Sequence, residues 1–297
     1  WGGNIEQISI WEEMYSTFKF DRNKEITVLE TFAGIGSQRK ALDRLAKKYD
    51  LKVNYLPPVE FDKYAIRSYN AIHGTNHKTK DITKTFGWEY QEQIDLLTWS
   101  FPCQDISLAG KGEGLKLGSK TRSSLGWEII WLIGEMEMYS QKPKVLLMEN
   151  VKNLLGEKHI KEFNELQKHL EKLGYKNYYK ILNAKDYGIP QNRERVFMIS
   201  ILGEYSYTFP QPEPLKLRLK DMLEDEVDDK YYLSEKMIKF FEENSRINEI
   251  KGNGFRFKPH DENSKYAYAI TTRAGGRMDD NFIIMPEKTK KGYAEAT

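Results

Sequence analysis

A glycine turn near the start of the chain constrains the fold more than any other feature. The β-branched run Ile26–Glu30 predicts a strand, and it leads directly into Thr31–Ser37, which contains two glycines. Apolar residues at helical spacing follow between residues 40 and 45. Strand, glycine turn and helix open a nucleotide-binding βαβ unit, in which the backbone approaches the ligand closely and the helix N-terminus favours negative charge. A single GxG pattern is equally typical of a tight turn that binds nothing.

Two acidic residues follow the glycine turn at the ends of the next elements. Pro58–Phe61 ends a second predicted strand, and an acid in the position of Glu60 accepts hydrogen bonds from ribose hydroxyls. Phe61 can cover one face of an adenine. Asp81 and Ile82 close a third short element, well placed for the amino group of the base. Because no arginine for a 2′-phosphate is evident, the pattern predicts an adenosine-containing ligand other than NADP.

The cysteine of the chain lies at the end of a fourth predicted strand. An apolar run at 96–100 stops before Phe101-Pro102-Cys103-Gln104, and Cys103 is the only cysteine among 297 residues. The carboxyl ends of strands line the ligand crevice of an open α/β sheet. Pro102 stiffens the turn that presents the thiol. A lone cysteine is most often a small buried hydrophobe, so its neighbours decide the interpretation.

Three more predicted strands complete an α/β pattern. A fifth strand at 143–148 ends in Glu149–Val151, and Tyr178–Leu182 forms a sixth. Gln191–Arg195 precedes the seventh, Val196–Leu202. With amphipathic helices between them, the strands predict a Rossmann-like seven-stranded sheet with helices on both faces.

Four short motifs appear in a characteristic order along this pattern. They are FAGIG at Phe32–Gly36, FPCQ at Phe101–Gln104, ENV at Glu149–Val151 and QxRxR at Gln191–Arg195. In this order and at these intervals they resemble the DNA cytosine-5 methyltransferase family, and the similarity looks closest to bacterial or phage members. The resemblance implies the methyltransferase form of the Rossmann-like sheet.

The resemblance also implies a domain organisation. We expect an N-terminal helical extension at 1–23, an S-adenosylmethionine-dependent catalytic domain at 24–205 and part of a smaller target-recognition domain at 206–297, where prolines interrupt the pattern. Two late family motifs are not found. Either the sequence is truncated, or a second chain carries these motifs. If no second chain is needed, we expect a monomer.

Charge and hydropathy leave the choice of partner to the motifs. The net charge of +2 is weak evidence for nucleic acid, because many enzymes of this kind concentrate basic residues in one cleft. No apolar run approaches the roughly 20 residues that a membrane span requires. The resemblance implies double-stranded DNA as partner, no membrane and a cytoplasmic location.

The resemblance assigns a chemical role to each motif side chain. The thiolate of Cys103 attacks C6 of cytosine and makes C5 nucleophilic, and Glu149 hydrogen-bonds or protonates N3. Arg195 holds O2 of the base, and Arg193 supports Glu149 or the DNA backbone. C5 then takes the methyl group of S-adenosyl-L-methionine, and S-adenosyl-L-homocysteine is the product. Read singly, Glu149 is compatible with a helix cap and the two arginines with a solvated pair.

The remaining candidate residues fall into two groups, and no metal ligand is expected. The target base must leave the stacked duplex, and the Gly/Lys-rich loop 110–120 is the predicted element that closes over it. The candidate cofactor contacts are Phe32, Ala33, Gly34, Ile35, Gly36, Glu60, Phe61, Asp81, Ile82, Ser100, Pro102 and Leu125. The candidate nucleic-acid contacts are Gln104, Ser107, Lys111, Lys116, Arg122 and Arg273.

Two other functions are compatible with the motifs. One branch of the family methylates tRNA, although the large region after residue 203 favours DNA. A non-catalytic or split subunit that needs a partner chain is the other, and the intact Cys103 and Glu149 argue against it.

Overall fold

The computed structural model describes most of the chain, which divides into two compact units. The first unit runs up to Leu182 and resumes at Arg195–Gln211, and the second combines Asn183–Glu194 with the chain from Pro212 onward. The predicted N-terminal helix and the loop 110–120 lie outside the described residues. Described are residues 24–103, 106, 123–139, 141–224, 226–261, 263–270, 276–284 and the backbone of 293–295.

A six-stranded sheet forms the centre of the first unit. Its order is β2-β1-β3-β4-β7-β5, with β1, β2, β3 and β4 parallel and β7 antiparallel to β4. The carboxyl ends of the parallel strands therefore meet at one edge of the sheet, here called the carboxyl edge. The strands of the described residues are β1 Ile26–Thr31, β2 Val53–Tyr55, β3 Leu96–Trp99, β4 Val145–Val151, β5 Tyr175–Asn183, β6 Gln191–Asn192, β7 Glu194–Leu202, β8 Ala267–Tyr268, β9 Phe282–Ile284 and β10 Tyr293–Glu295.

Helices cover both faces of this sheet because β1, β3 and β4 alternate their side chains between two apolar cores. Val28 packs with Leu42 of the first helix on one face, and Leu29 belongs to the core that includes α3 and α4 on the other. The predicted fold class is thereby confirmed. None of the helices in the described residues combines the length and apolar character needed to cross a bilayer. The helices are α1 Ser37–Tyr49, α2 Lys63–His73, α3 Gly126–Met138, α4 Ile160–Lys172 and, in the second unit, α5 Glu235–Ile250.

The sheet of the described residues has one strand fewer than the sequence predicted. Asp81 and Ile82 do not form a strand; Asp81 is the N-cap of a 3-10 turn, and its carboxylate accepts a hydrogen bond from the Thr83 backbone at 3.0 Å. An acidic side chain that bonds its own backbone in this way competes with strand pairing. The second strand ends early, at Tyr55, because Pro57 and Pro58 have no N–H to donate to a ladder.

The second unit holds its own small sheets. β6 pairs in parallel with β8, and β9 pairs antiparallel with β10. Phe241 of α5 packs against the rings of Phe257 and Phe282. The segment Asn183–Glu194, which carries most of the QxRxR motif, belongs to this unit, whereas the sequence predicted a single boundary near residue 205.

Gly36 at the start of α1 is the position where the fold depends most directly on glycine. Its φ is +80°, and an added Cβ would lie 2.2 Å from Nε2 of His73 and 2.8 Å from the Tyr69 ring. Gly34, two residues earlier, also has a positive φ of +56°, but a Cβ there would meet nothing within 4 Å. Comparing a substitution at Gly34 with one at Gly36 therefore separates the cost of backbone strain from the cost of steric overlap.

We expect Gly36→Ala to lower the free energy of unfolding by clearly more than Gly34→Ala does. The left-handed backbone costs an alanine about 1–2 kcal/mol at either position. At Gly36 the overlap with His73 and Tyr69 adds about 1–3 kcal/mol more. Urea unfolding of both variants measures the difference. Equal losses would contradict the close packing of α1 against α2.

Candidate active site at the carboxyl edge

The glycine turn after β1 is hydrogen-bonded by Glu60, the acid that follows the second strand. Phe32, Gly34 and Gly36 all have positive φ, at +53°, +56° and +80°. The backbone N–H of Gly34 donates to Oε2 of Glu60 at 2.8 Å, and the N–H of Asp62 donates to Oε1 at 2.7 Å. Glu60 therefore contacts the glycine turn, while its predicted role as an acceptor for ribose hydroxyls stays a prediction.

Glu60 retains acceptor capacity beyond these two bonds. An ionised carboxylate has about four lone-pair sites, so each oxygen of Glu60 can accept one further hydrogen bond. The Phe61 side chain beside it is 74% exposed. An exposed aromatic face next to a partly exposed carboxylate has the hydrogen-bond acceptor and stacking chemistry of a nucleoside site.

The third predicted cofactor element has a different geometry from that expected. Ile82 is buried in the core, and Asp81 is half-buried, with its carboxylate bonded to the backbone and hydroxyl of Thr83. Glu128 on α3 lies close enough to be affected by Asp81. Burial, and then the Asp81 charge, raise the pKa of the Glu128 carboxyl. Asp81 still lies near the Glu60 segment, because the N–H of the preceding residue, Lys80, donates to the Glu60 carbonyl at 2.8 Å.

The cysteine follows β3 in a loop whose carbonyl groups are bonded by side chains. The Phe101 carbonyl accepts from Nδ2 of Asn150 at 3.1 Å, and the Pro102 carbonyl accepts from Oγ of Ser123 at 2.8 Å. The Cys103 carbonyl accepts from the Ile106 N–H at 3.0 Å. Cys103 is a free thiol of intermediate exposure. The backbone of residues 101–103 is therefore anchored by hydrogen bonds, and Cys103 is partly exposed.

Glu149 and Arg195 are brought together at the same edge. Nε of Arg195 lies 3.0 Å from Oε1 of Glu149, and the two side chains are 21% and 24% exposed. The antiparallel register of β4 and β7 explains the contact, because it pairs Val151 with Arg195 and Glu149 with Phe197. Opposite charges in a partly desolvated pair interact more strongly than on an open surface.

Some of the other predicted residues lie in the described parts of the two units, and the others lie outside the described residues. Ser100 Oγ accepts from Nε2 of Gln38 at 2.9 Å, and Leu125 packs against the main core. Arg193 belongs to the second unit, where its backbone N–H donates to Oδ1 of Asn183 at 3.0 Å. The candidate nucleic-acid contacts Gln104, Ser107, Lys111, Lys116, Arg122 and Arg273 lie outside the described residues.

A buried polar network beneath the glycine turn was not predicted. Glu30 is 1% exposed, and its Oε2 accepts from the Tyr69 hydroxyl at 2.5 Å. Nη1 of Arg39 donates to the same hydroxyl at 3.0 Å, and the Arg39 N–H donates to Oε1 of Glu30 at 3.2 Å. Burial raises the pKa of Glu30, and the bond from Tyr69 opposes that shift. The signal in the sequence was an acid that ends an otherwise apolar strand.

Glu30 thereby caps α1 from outside the helix. Arg39 N–H belongs to the first turn of α1, and the N-cap residue Gly36 has no side chain with which to satisfy it. A Cβ at residue 36 would overlap the His73 ring, and the capping bond comes from the preceding strand. Within the part of the chain that the structure describes, no group of three or more His, Cys, Asp or Glu side chains could hold a metal ion.

The fold is a Rossmann-like α/β sheet that carries a cysteine and a glutamate at the ends of adjacent strands. The sequence pattern of the family described as "C-5 cytosine-specific DNA methylase" matches residues 26–296. The chain belongs to this family of DNA methyltransferases, as its four motifs predicted.

Known relatives agree with this membership. The chain is 34% identical over 265 residues to the type II methyltransferase M.NlaX of Neisseria lactamica, a match that covers 89% of this chain and 80% of the relative. It is 53% identical over 146 residues to the type II methyltransferase M2.ScrFI of Lactococcus lactis subsp. cremoris, covering 49% of this chain and 39% of that relative. The chain thus spans well under half of the M2.ScrFI sequence.

A solved structure supports the fold. The Dnmt2 methyltransferase of S. pombe superimposes with a TM-score of 0.68 at 20% identity, covering 90% of this chain and 78% of that one.

We expect Tyr69→Phe to destabilise the protein more at pH 8 than near pH 4.5. Because the pKa of Glu30 is raised from 4.5, the folded state holds a proton that the unfolded chain releases, so stability falls as pH rises through that window. Without the Tyr69 bond the pKa of Glu30 rises further. The folded protein with an ionised Glu30 then loses about 1–3 kcal/mol of stability.

Urea unfolding at the two pH values measures the effect. Tyr64→Phe is the matched control, because Tyr64 lies on the same helix and is 66% exposed. An equal loss at both pH values would show that the bond to Glu30 is not responsible.

Proposed function

We propose that this protein transfers a methyl group from S-adenosyl-L-methionine to C5 of a cytosine in double-stranded DNA. The observation that supports the proposal is that the partly exposed Cys103 follows β3, while the Glu149–Arg195 pair joins the adjacent strand β4 to β7. β3 and β4 pair directly, with Trp99 opposite Met148, so the two chain segments that follow lie side by side. The FPCQ and ENV motifs therefore lie at the carboxyl ends of adjacent strands.

The residues around the glycine turn fit an adenosine-containing cofactor. Glu60 has free acceptor sites for ribose hydroxyls, Phe61 offers an exposed ring for the adenine, and Asp81 lies in the following turn. A carboxylate in the ribose position would repel a 2′-phosphate. Family members use S-adenosylmethionine, which when bound supplies a methyl group activated by a positively charged sulfur. This chain would hold it with its glycine turn, Glu60 and Phe61.

The side chains at the edge can perform the addition that the reaction requires. The Cys103 thiolate forms a bond to C6 of the cytosine, and the electron pair of the C5–C6 double bond moves into the ring toward N3. Glu149 donates a proton or hydrogen bond to N3, so that C5 becomes an enamine-like nucleophile. After C5 has gained the methyl group, its proton leaves to a base such as water. The C6–sulfur bond then breaks, and Cys103 recovers its electron pair.

Arg195 has two roles in this proposal. Its ion pair with Glu149 orients the carboxyl toward the base, and the guanidinium is assigned to O2 of the pyrimidine, as the motif implies. Because the pair is partly desolvated, these interactions are stronger than they would be in open water. Arg193 is assigned to support of Glu149 or of the DNA backbone, as the motif implies.

Duplex DNA is the favoured substrate because of the family description and the type II methyltransferase relatives. The target carbon is buried in a stacked duplex, so the nucleotide must be extruded at a cost of a few kcal/mol. Transfer of labelled methyl groups to mixed-sequence duplex DNA, compared with tRNA, tests this choice. Transfer to tRNA alone would reject the DNA proposal, and transfer only after addition of a second chain would support a split enzyme.

We expect Cys103→Ser and Glu149→Gln to lose methyl transfer to duplex DNA. Removing the general acid should lower kcat by on the order of 10²–10⁴-fold, and removing the thiol should abolish turnover. Glu157→Gln is the matched control, because Glu157 is exposed and lies in the segment after β4. Full activity of either active-site variant would contradict the mechanism.

A further inference from the structure

Asn150 is buried at the end of β4, between Glu149 and Val151, and both ends of its amide are engaged. It is 2% exposed. Nδ2 donates to the Phe101 carbonyl at 3.1 Å, and Oδ1 accepts from the Val151 N–H at 2.8 Å. Exchanging nitrogen and oxygen would place two acceptors together and two donors together. The amide therefore has one satisfied orientation.

Two further side chains bond the loop that carries Cys103. Ser123 Oγ donates to the Pro102 carbonyl at 2.8 Å, and Asn153 Nδ2 donates to the Ile106 carbonyl. Residues 101–103 lie outside any regular element, so strand pairing does not satisfy these carbonyl groups. The carbonyls of the two residues before the cysteine are instead held by donors from outside the loop.

Asn150 differs from the other two donors in what it connects. Its backbone is continuous with Glu149, and its side chain holds the residue two positions before Cys103. One hydrogen bond thus links the segment that carries the acid to the segment that carries the thiol. A misplacement of about 1 Å between reacting groups can cost on the order of 10²-fold in rate.

We propose that Asn150 is a positioning residue that fixes the Cys103 thiol relative to the Glu149 carboxyl. The inference rests on the proposed function for its kinetic consequence, although the contact itself concerns only the loop geometry. Asn150 does not touch the reacting atoms; it acts through the Phe101 carbonyl. A carboxyl group in its place would put an acceptor against that carbonyl unless it carried a proton.

Asn150→Asp in the full chain tests the proposal with an isosteric change. At pH 8 we expect kcat for DNA methylation to fall by on the order of 10²-fold, while the dissociation constant of S-adenosylmethionine stays within about two-fold of wild type. As the pH is lowered, the ratio of variant to wild-type kcat should rise, because a protonated carboxyl donates to the Phe101 carbonyl again. Asn164→Asp makes the same chemical change at an exposed position of α4 and should show neither effect.

Alkylation of Cys103 by iodoacetamide provides a readout that does not depend on methyl transfer. Because the chain has one cysteine, the rate reports directly on that thiol. Release of the loop should raise the alkylation rate several-fold in Asn150→Asp and in Asn150→Ala, relative to wild type and Asn164→Asp.

The outcomes separate this inference from the proposed function. A wild-type protein that methylates neither DNA nor tRNA would reject the function, and the alkylation rates would still decide the role of Asn150. Folded Asn150 variants with wild-type alkylation rates would overturn the positioning role. So would a loss of kcat that is independent of pH and matched by an equal loss of cofactor affinity.

Discussion

The parallel pairing of β1, β3 and β4 is the constraint on which the rest of the structure depends. It places the glycine turn, the Cys103 loop and Glu149 at successive strand ends along one edge. The buried, alternating side chains of these strands fix the register, because a one-residue slip would turn each apolar side chain to the opposite face. The arrangement of residues at this edge is therefore a consequence of core packing beneath it.

The loops at that edge lack ladder hydrogen bonds, and side chains replace them. Glu60 bonds the N–H of Gly34, Glu30 bonds the first turn of α1, and Asn150 bonds the Phe101 carbonyl. Glu30 and Asn150 lie on β1 and β4, and Glu60 follows Val59, which forms an isolated bridge with Thr31 of β1, so the residues that follow these strands are tied to the sheet. Burying Glu30 carries a cost in desolvation, which its bonds to Tyr69 and Arg39 offset in part.

The sequence predicted the α/β fold and the residues of the edge because strand ends and glycine turns leave local signals. It also placed the Glu60 segment beyond the second strand and Cys103 and Glu149 at the ends of neighbouring strands, and their roles in catalysis stay predictions. It missed the 3-10 turn after Asp81, where a side chain outcompeted strand pairing, and the inclusion of Asn183–Glu194 in the second unit. The bonds of Asn150 and Tyr69 join residues 49 and 39 positions apart, and no local pattern could reveal them.

The central claim is that Cys103 forms a covalent bond to C6 of an extruded cytosine. Duplex DNA with 5-fluorocytosine in place of every cytosine tests it directly, because fluorine cannot leave C5 as a proton would and the sulfur bond then persists. Incubation with S-adenosylmethionine, followed by mass spectrometry, should give a protein–DNA adduct on the peptide that contains Cys103. Methylation of ordinary DNA without any adduct, or an adduct on another residue, would contradict the account.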